Sequence, residues 1–231
     1  MRIVIDHLTR MTGDHICVAG IDTDSGRHIR PVAGRLTRAT LEDEGGLFAV
    51  GGVVDLANPR PTGEPPEVED TLFDVRGSKR AAGLSAAAFW NLLQITSRGS
   101  LSELFGMDLK KAGRSGAAVA AHKGAASLGL LRPKPTPELW MTVAKKLRMR
   151  VADGTFDLDL SLTDLRLVGS DHITPNLSAI RTMQTALTAG TAVVLAVGLG
   201  RPFQATGDDQ ERHWLQVNNI HLASDPLGAK I

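Results

Sequence analysis

Residues 15–32 read HICVAGIDTDSGRHIRPV, and this stretch decides how the first half of the chain folds. Ile16–Ile21 is an apolar run of strand length, Asp22–Arg27 is a polar segment with a glycine, and Arg27–Val32 alternates again. Apolar runs separated by a short polar turn are typical of a β-hairpin. The stretch therefore predicts two antiparallel strands.

The second strand of this hairpin carries a polar side. Because side chains alternate along a strand, Ile29 should face a core while His28 and Arg30 face the other way. Pro31 has no backbone N–H, so the strand should end there or lie at an edge. The hairpin thus predicts one apolar face and one cationic face.

The composition is that of an ordinary globular protein. The chain has 231 residues, of which 42% are hydrophobic, enough for one large domain or two small ones. Aromatic residues make up 4% with no Tyr, which disfavours binding of single strands through base stacking. The single Cys17 excludes a disulfide framework and a cysteine-based metal site.

No targeting or membrane signal is visible in the sequence. The first residues lack a basic region followed by an apolar stretch, as a signal peptide would have. No later segment has the roughly 18 consecutive apolar residues of a membrane span. We therefore expect a cytoplasmic protein.

Charge is unevenly distributed, although the net charge is only +1. Residues 41–75 contain nine acidic residues and one arginine, whereas residues 107–150 contain ten Lys or Arg and two acidic residues. A basic segment of this kind is typical of a polyanion site, but a solvated linker has the same composition. Both interpretations stay open at this point.

The first half shows strand patterns followed by helices. Residues 58–66 contain four prolines and are predicted to be a loop. Ser85 is a candidate N-cap for a helix that continues to Thr96. Ser100 and Glu103 form the pattern of a capping box at the start of a second, short helix.

Three regions follow from these patterns. We predict a first domain over residues 1–106, a basic connecting segment over residues 107–127 and a second domain over residues 128–231. The connecting segment is rich in Gly, Ala, Lys and Arg and has no clear period. Its glycines do not have the G-x-x-x-x-G-K-[ST] spacing of a phosphate-binding loop.

A second hairpin is predicted around Asp153-Gly154, a dipeptide typical of tight turns. In the strand before the turn, Arg148 and Arg150 share one polar face. In the strand after it, Asp157 and Asp159 share another. The arginines can pair with these aspartates across the hairpin, or they can form a stripe that binds phosphate.

The end of the chain predicts a helix over Asn176–Ala189, a central strand over Val193–Leu199 and a last strand, HWLQVNNIHL, over residues 213–222. In the last strand, Leu215 and Val217 occupy odd positions, whereas Ile220 and Leu222 occupy even positions and would face the opposite side of a regular strand. A bulge at Asn218-Asn219 would restore their common face. We therefore predict that the following four residues are buried: Leu215, Val217, Ile220 and Leu222.

Several of these segments resemble the dual OB-containing domain family. The resemblance lies in ICVAGID (16–22), GRHIRPV (26–32), SLTDLRL (161–167), VGLGRPF (197–203) and HWLQVNNIH (213–221). It spans nearly the whole chain and implies a mainly β fold with a few helices, built as two consecutive OB-like barrels. Barrels of this type bind oligonucleotides or oligosaccharides across strands 2 and 3 and the flanking loops.

The family resemblance also implies a function. It implies a bacterial nucleic-acid-binding protein of a conflict, defence or nucleic-acid-processing system, with no catalytic residues to carry over. Arg30-Pro31 and Arg201-Pro202 match family positions. We predict a nucleic-acid-binding surface made of Arg30, Arg132, Lys134, Arg148, Arg150, Arg201 and Trp214. The arginines suit this role because their planar guanidinium groups can donate two hydrogen bonds to one phosphate.

No catalytic or cofactor motif was found. The seven histidines show no H-x-x-x-H or H-E-x-x-H pair, so no metal site is predicted. Combinations such as Asp22 with His28, or Asp164 with Asp171 and His172, could act as acid and base but also occur by chance. The sequence thus favours a non-enzymatic module that binds nucleic acid. The alternatives are a protein-interaction adaptor in a multi-component bacterial system and a hydrolytic enzyme of unrecognised type.

Overall fold

The computed structural model describes residues 1–228, and the first five strands close a barrel. These strands are β1 (Arg2–Arg10), β2 (Ile16–Asp22), β3 (His28–Val32), β4 (Val53–Pro61) and β5 (Asp70–Ala81). Their order around the barrel is β1-β2-β3-β5-β4, and β4 closes it against β1. β3 and β5 run parallel, while the other neighbours are antiparallel. The predicted hairpin is confirmed as β2 and β3.

The two predicted helices follow the first barrel. In α1 (Ala86–Thr96), the Ser85 hydroxyl accepts a hydrogen bond from the backbone N–H of Ala88 at 3.2 Å. In α2 (Leu101–Phe105), the Ser100 hydroxyl accepts a hydrogen bond from the Glu103 backbone N–H at 3.2 Å. The Glu103 carboxylate accepts from the Gly99 backbone N–H at 3.3 Å, one residue before the position expected in a capping box. Both N-caps are therefore confirmed.

The segment predicted as an irregular connection contains two strands. These are β6 (Lys110–Ala112) and β7 (Gly116–Ala120), which pair with each other. β7 also pairs with the last strand of the chain, so this stretch belongs to the second sheet. Alanine and glycine give little strand signal, and the pairing depends on a partner almost a hundred residues later. The domain boundaries themselves stay a prediction.

The second barrel repeats the strand pairings of the first. Its elements are β8 (Leu128–Leu131), β9 (Glu138–Met141), β10 (Leu147–Ala152), β11 (Asp157–Leu162), α3 (Leu177–Thr188), β12 (Val193–Leu199) and β13 (Arg212–Leu222). β10 and β11 form the antiparallel hairpin, and β11 runs parallel to β13, as β3 does to β5. β12 pairs with β13 and with β8, while β9 pairs with β10. β8 and β9 together therefore take the place of β1. The fold is mainly β and consists of two OB-like barrels, as predicted.

A second correction concerns the proline-rich stretch at residues 58–66. β4 continues to Pro61, with Arg60 opposite Leu72 of β5, so the loop is shorter than predicted. The pairing shifts register between Ala57 and Arg60. This irregularity allows a strand to contain prolines, which cannot donate to a regular ladder.

The predicted bulge in the last strand is confirmed. Ala196 of β12 lies opposite Asn219 and Val197 lies opposite Val217, which leaves Asn218 as the extra residue. The four apolar residues predicted to share a face are all buried: Leu215, Val217, Ile220 and Leu222.

Apolar and polar contacts join the two barrels. An apolar cluster between them includes Val4 of β1, Phe89 of α1 and Val194 of β12. Beside it, the Asn219 side-chain oxygen accepts a hydrogen bond from the Leu8 backbone N–H at 2.7 Å, and its amide nitrogen donates to the Leu8 carbonyl at 3.2 Å. The Asn219 amide thus accepts from and donates to the backbone of one residue of β1, as the backbone of a neighbouring strand does in a sheet. None of the helices within residues 1–228 is long and apolar enough to cross a membrane.

A buried ion pair fixes the connection after β11. The carboxylate of Asp164 accepts hydrogen bonds from the Ile220 backbone N–H at 3.0 Å and from the Arg166 guanidinium at 2.7 Å. Burial opposes ionisation of Asp164, but the Arg166 charge and these hydrogen bonds outweigh it and lower the pKa of the carboxyl. The ionised pair is therefore part of the folded structure.

We predict that Asp164→Asn lowers the free energy of unfolding by about 3 kcal/mol, because the half-buried Arg166 then loses its ion-pair partner. The contribution of Asp164 to stability is present above the pKa of the unfolded chain and is lost as the pH falls through the lowered pKa. The variant should therefore lose less stability on acidification than the unsubstituted protein. Urea unfolding followed by circular dichroism at several pH values measures both effects.

The matched control for this substitution is Asp55→Asn, which breaks the exposed pair of Asp55 with Arg2. Solvent screens that pair, so the urea midpoint should stay within error of the unsubstituted protein. Equal midpoints for the two variants would contradict the role given to Asp164.

Candidate nucleic-acid interface

A cavity of ≈ 630 Å³ opens where the second barrel meets β2 and β3 of the first. We call it the inter-barrel groove. On one side it is lined by residues of β2, β3 and the loop at residues 11–15, and on the other by Leu199, Gly200, Arg201, Gln216 and Asn218. Strands 2 and 3 and the loop between strands 1 and 2 form the ligand-binding face of OB barrels. The groove therefore lies on the face that this fold uses for ligands.

Four arginines line the inter-barrel groove, namely Arg10, Arg30, Arg35 and Arg201. Its lining, as far as the described chain provides it, contains no Asp or Glu. Within the protein, however, two of these arginines contact carboxylates. The charge available to a ligand therefore depends on how each arginine is paired.

Arg30 and Arg201 come from different barrels and bind the same two carboxylates. Both contact Asp70, with Arg201 3.2 Å from its carboxylate, and both contact Glu67, at 3.3 Å from Arg30 and 2.6 Å from Arg201. The side chain of Arg30 is only 5% exposed, whereas that of Arg201 is 51% exposed. The structure thus brings these two predicted residues together, with most of their charge balanced.

Arg10 and Arg35 supply the unbalanced charge of the groove. Arg35 is exposed, and within residues 1–228 neither arginine forms an ion pair with a carboxylate. The Nε atom of Arg10 is buried without a hydrogen-bond partner, and so is the Nδ1 atom of His15 in the neighbouring loop. A buried Nε–H without an acceptor is costly, whereas the His15 Nδ1 atom is a donor or an acceptor according to the tautomer of the ring.

Sequence reasoning missed Arg10 and Arg35, although both flank the hairpin at residues 15–32. Arg10 ends β1 and Arg35 follows β3 by three residues. The OB-fold binding rule already places the ligand on strands 2 and 3 and the flanking loops, which include the loop after strand 1. That rule was the available signal for Arg10.

Arg148 and Arg150 lie on β10 and are paired across the second hairpin. The Nε atom of Arg148 donates to Asp159 at 2.7 Å, and Arg150 binds Asp157 through two hydrogen bonds of 2.9 and 2.7 Å. Of the two interpretations of this polar face, the geometry matches the cross-strand ion pairs. These two arginines do not line the inter-barrel groove.

The remaining predicted residues lie elsewhere on the second barrel. Arg132 and Lys134 are exposed in the connection between β8 and β9. The ring of Trp214 packs beside the turn between β6 and β7, with its centre 6.0 Å from that of the Phe203 ring. None of the three lines the groove.

A buried polar cluster lies beside the groove, made of Asp6, His7 and His28. The Asp6 Oδ2 atom is 3.0 Å from His28 Nε2 and 3.5 Å from His7 Nε2. Burial lowers the pKa of His7 to about 3, so its imidazole is neutral. Burial also acts to lower the pKa of His28, but the Asp6 carboxylate outweighs it and the pKa is raised. These three are also the residues whose side chains are close enough together to hold a metal ion.

Another cavity, of ≈ 660 Å³, lies between the first barrel and the turn after β11. Glu42 and Asp43 are part of its lining, together with apolar residues such as Leu8 and Phe48. Carboxylates at its wall make this cavity less suited to a polyanion than the inter-barrel groove.

Comparison with known proteins supports the fold. No curated protein matches the chain. A solved structure described as a murine DNA binding protein bound with double-stranded DNA is similar over 96% of each chain, with a TM-score of 0.33 and 8% sequence identity. The model of the family described as "Dual OB-containing domain" matches residues 1–220. The chain therefore belongs to the dual OB-containing domain family.

Proposed function

We propose that this protein binds a nucleic-acid strand through its phosphates in the inter-barrel groove. The observation that carries the proposal is the position of Arg10 and Arg35, two arginines without carboxylate partners in the described chain, on the ligand-binding face of the first OB-like barrel. Charge in a cleft raises the local concentration of a polyanion and steers its approach.

Phosphate is the chemistry that best matches the unpaired donors. The guanidinium fork of an arginine matches two phosphate oxygens at once. Each neutralised phosphate also releases counterions, which favours binding at low salt.

The lining of the groove disfavours base stacking as a source of affinity. None of the groove residues is Phe or Trp, so stacking platforms do not contribute within it. Affinity should then depend on charge and change little with base sequence.

Further parts of the proposal lie outside the groove. Arg132 and Lys134 are exposed and could extend the path of the strand along the second barrel. Arg148 and Arg150 would first have to leave Asp159 and Asp157, so we assign them a smaller contribution. A role in a bacterial conflict, defence or nucleic-acid-processing system is the biological setting that we propose from family membership.

We predict that the double variant Arg10→Ala/Arg35→Ala binds a labelled single-stranded oligonucleotide at least about tenfold more weakly at low salt. Each lost phosphate contact on a single strand reduces the slope of log K against log salt by about 0.7, so two contacts reduce it by about 1.4. Fluorescence anisotropy at three salt concentrations measures both quantities.

The control for this experiment is Arg148→Ala/Arg150→Ala, which removes the same number of arginines from ion pairs outside the groove. Its affinity should stay within about twofold, because the two aspartates left unpaired lie outside the groove and solvent screens their charge. Equal losses in the two double variants would reject the groove as the site. Absence of binding at low salt, or binding that salt does not weaken, would reject the phosphate proposal and favour a protein-interaction adaptor.

We also predict that Asp70→Asn increases affinity for the oligonucleotide about threefold at low salt. The substitution removes a negative charge below the groove and releases the half-exposed Arg201 from one partner. One charge acting on a phosphate roughly 6 Å away in water is worth about 0.7 kcal/mol. The same titration shows the effect, which should shrink at high salt because mobile ions screen it. Weaker binding of this variant, with an unchanged circular dichroism spectrum, would contradict the electrostatic account.

A further inference from the structure

A β-bulge in the first strand brings together the polar cluster beside the groove. Ile5 of β1 lies opposite Gly20 and His7 lies opposite Ala19, so Asp6 is the extra residue. A bulge re-aims side chains that would otherwise alternate, and here Asp6 and His7 both approach His28.

The pairing register explains how His28 reaches the same place. His28 lies opposite Ile21 of β2, while His7 lies opposite Ala19, two positions earlier on that strand. Residues two apart on a strand share a face, so both histidines project from the same side of the sheet. Ala19 lies between them on this face and leaves room for their rings.

The distances in the cluster match the coordination sphere of a small metal ion. One candidate ligand atom from each of the three residues lies within 4.8 Å of the others. In a tetrahedral site with metal–ligand bonds of about 2.0–2.1 Å, neighbouring ligand atoms are roughly 3.3 Å apart. The distances from Asp6 Oδ2 to His28 Nε2 (3.0 Å) and to His7 Nε2 (3.5 Å) lie on either side of this value.

Two atoms of the cluster are buried without any hydrogen-bond partner. They are Asp6 Oδ1 and His7 Nε2, in side chains that are 0% and 1% exposed. An ion pair between Asp6 and His28 accounts for Oδ2 and leaves His7 Nε2 unsatisfied, whereas a metal ion bound to Oδ2 and Nε2 would supply the missing partner of His7. Unsatisfied buried polar atoms are rare because each costs the free energy of its desolvation.

We propose that Asp6, His7 and His28 bind a divalent transition-metal ion, with Zn²⁺ as the best match. Two imidazole nitrogens and one carboxylate oxygen are ligands that Zn²⁺ accepts, and they leave a fourth position for water. Mg²⁺ and Ca²⁺ prefer shells made of oxygen, so they should bind weakly here. The His28 side chain is 11% exposed, which gives the ion a path to the site.

The surrounding residues can orient the ligands. The side-chain amide nitrogen of Asn218 is 3.0 Å from His7 Nδ1. When Nε2 binds a metal, Nδ1 carries the proton, so the Asn218 amide would rotate to present its oxygen. That oxygen accepts from Gln216 Nε2 at 3.1 Å, so the Gln216 amide would rotate with it. The backbone carbonyl of Asp6 also lies 2.9 Å from His221 Nε2, which holds the bulge in place from the second barrel.

The first experiment uses the full chain after dialysis against a chelator. Equilibrium dialysis with Zn²⁺ should show one tightly bound ion per chain, and Mg²⁺ at the same concentration should show none. Co²⁺ should give the visible absorption of a low-symmetry site with nitrogen and oxygen ligands. Fewer than about 0.1 ions of Zn²⁺ per folded chain would overturn the proposal without any variant.

The second experiment identifies the ligands. Asp6→Asn and His28→Gln should each weaken Zn²⁺ binding at least tenfold and remove the Co²⁺ absorption. His172→Asn removes a histidine outside the cluster and should bind as the unsubstituted protein does. Circular dichroism establishes that each variant is folded. If a variant does not fold, NMR spectra of the unsubstituted protein with and without Zn²⁺ test the same ligands. Zn²⁺ should shift the side-chain nitrogen resonances of His7 and His28. Unchanged Zn²⁺ affinity in both folded variants, or unchanged His7 and His28 resonances, would overturn the proposal.

Discussion

The two barrels meet where a bulge in β1 faces a bulge in β13. Asn218 is the extra residue of β13 and contacts His7, while Asn219 bonds both backbone groups of Leu8. The second barrel supplies hydrogen-bond partners for three sites at the β1 bulge, namely His7 Nδ1, the Asp6 carbonyl and the Leu8 backbone. The relative position of the barrels is therefore set by directional hydrogen bonds as well as by apolar packing.

Two buried carboxylates extend this arrangement to the connecting segments. Glu69, just before β5, accepts hydrogen bonds from Ser127 at 2.8 and 2.7 Å and from the Leu128 backbone at 3.2 Å, which holds the start of β8 against the first barrel. The carboxylate of Asp164 holds the turn after β11 against β13 within the second barrel. Buried charges require such partners, because an unpaired carboxylate would cost several kcal/mol. The inter-barrel groove thus has walls whose positions are fixed by both barrels.

Charge pairing decides which arginines of the groove are available to a ligand. Arg30 and Arg201 share Glu67 and Asp70, so they contribute more to joining the barrels than to net positive potential. Arg10 and Arg35 have no such partners in the described structure, and they lie on the side where OB barrels bind ligands. A count of basic residues along the chain cannot make this distinction, because it does not show which carboxylates lie nearby.

The sequence by itself determined the local elements of this protein. It was sufficient for the hairpin at residues 15–32, the N-caps at Ser85 and Ser100, the bulge at Asn218 and the two-barrel fold, since these depend on alternation, capping chemistry and family motifs within short segments. Only the tertiary structure decided the strands at residues 110–120, the groove with Arg10 and Arg35, and the cluster of Asp6, His7 and His28. Each of these depends on residues that lie far apart in sequence and meet through strand pairing. Each feature requires a partner residue on another strand, and the local sequence pattern does not show which residue that partner is.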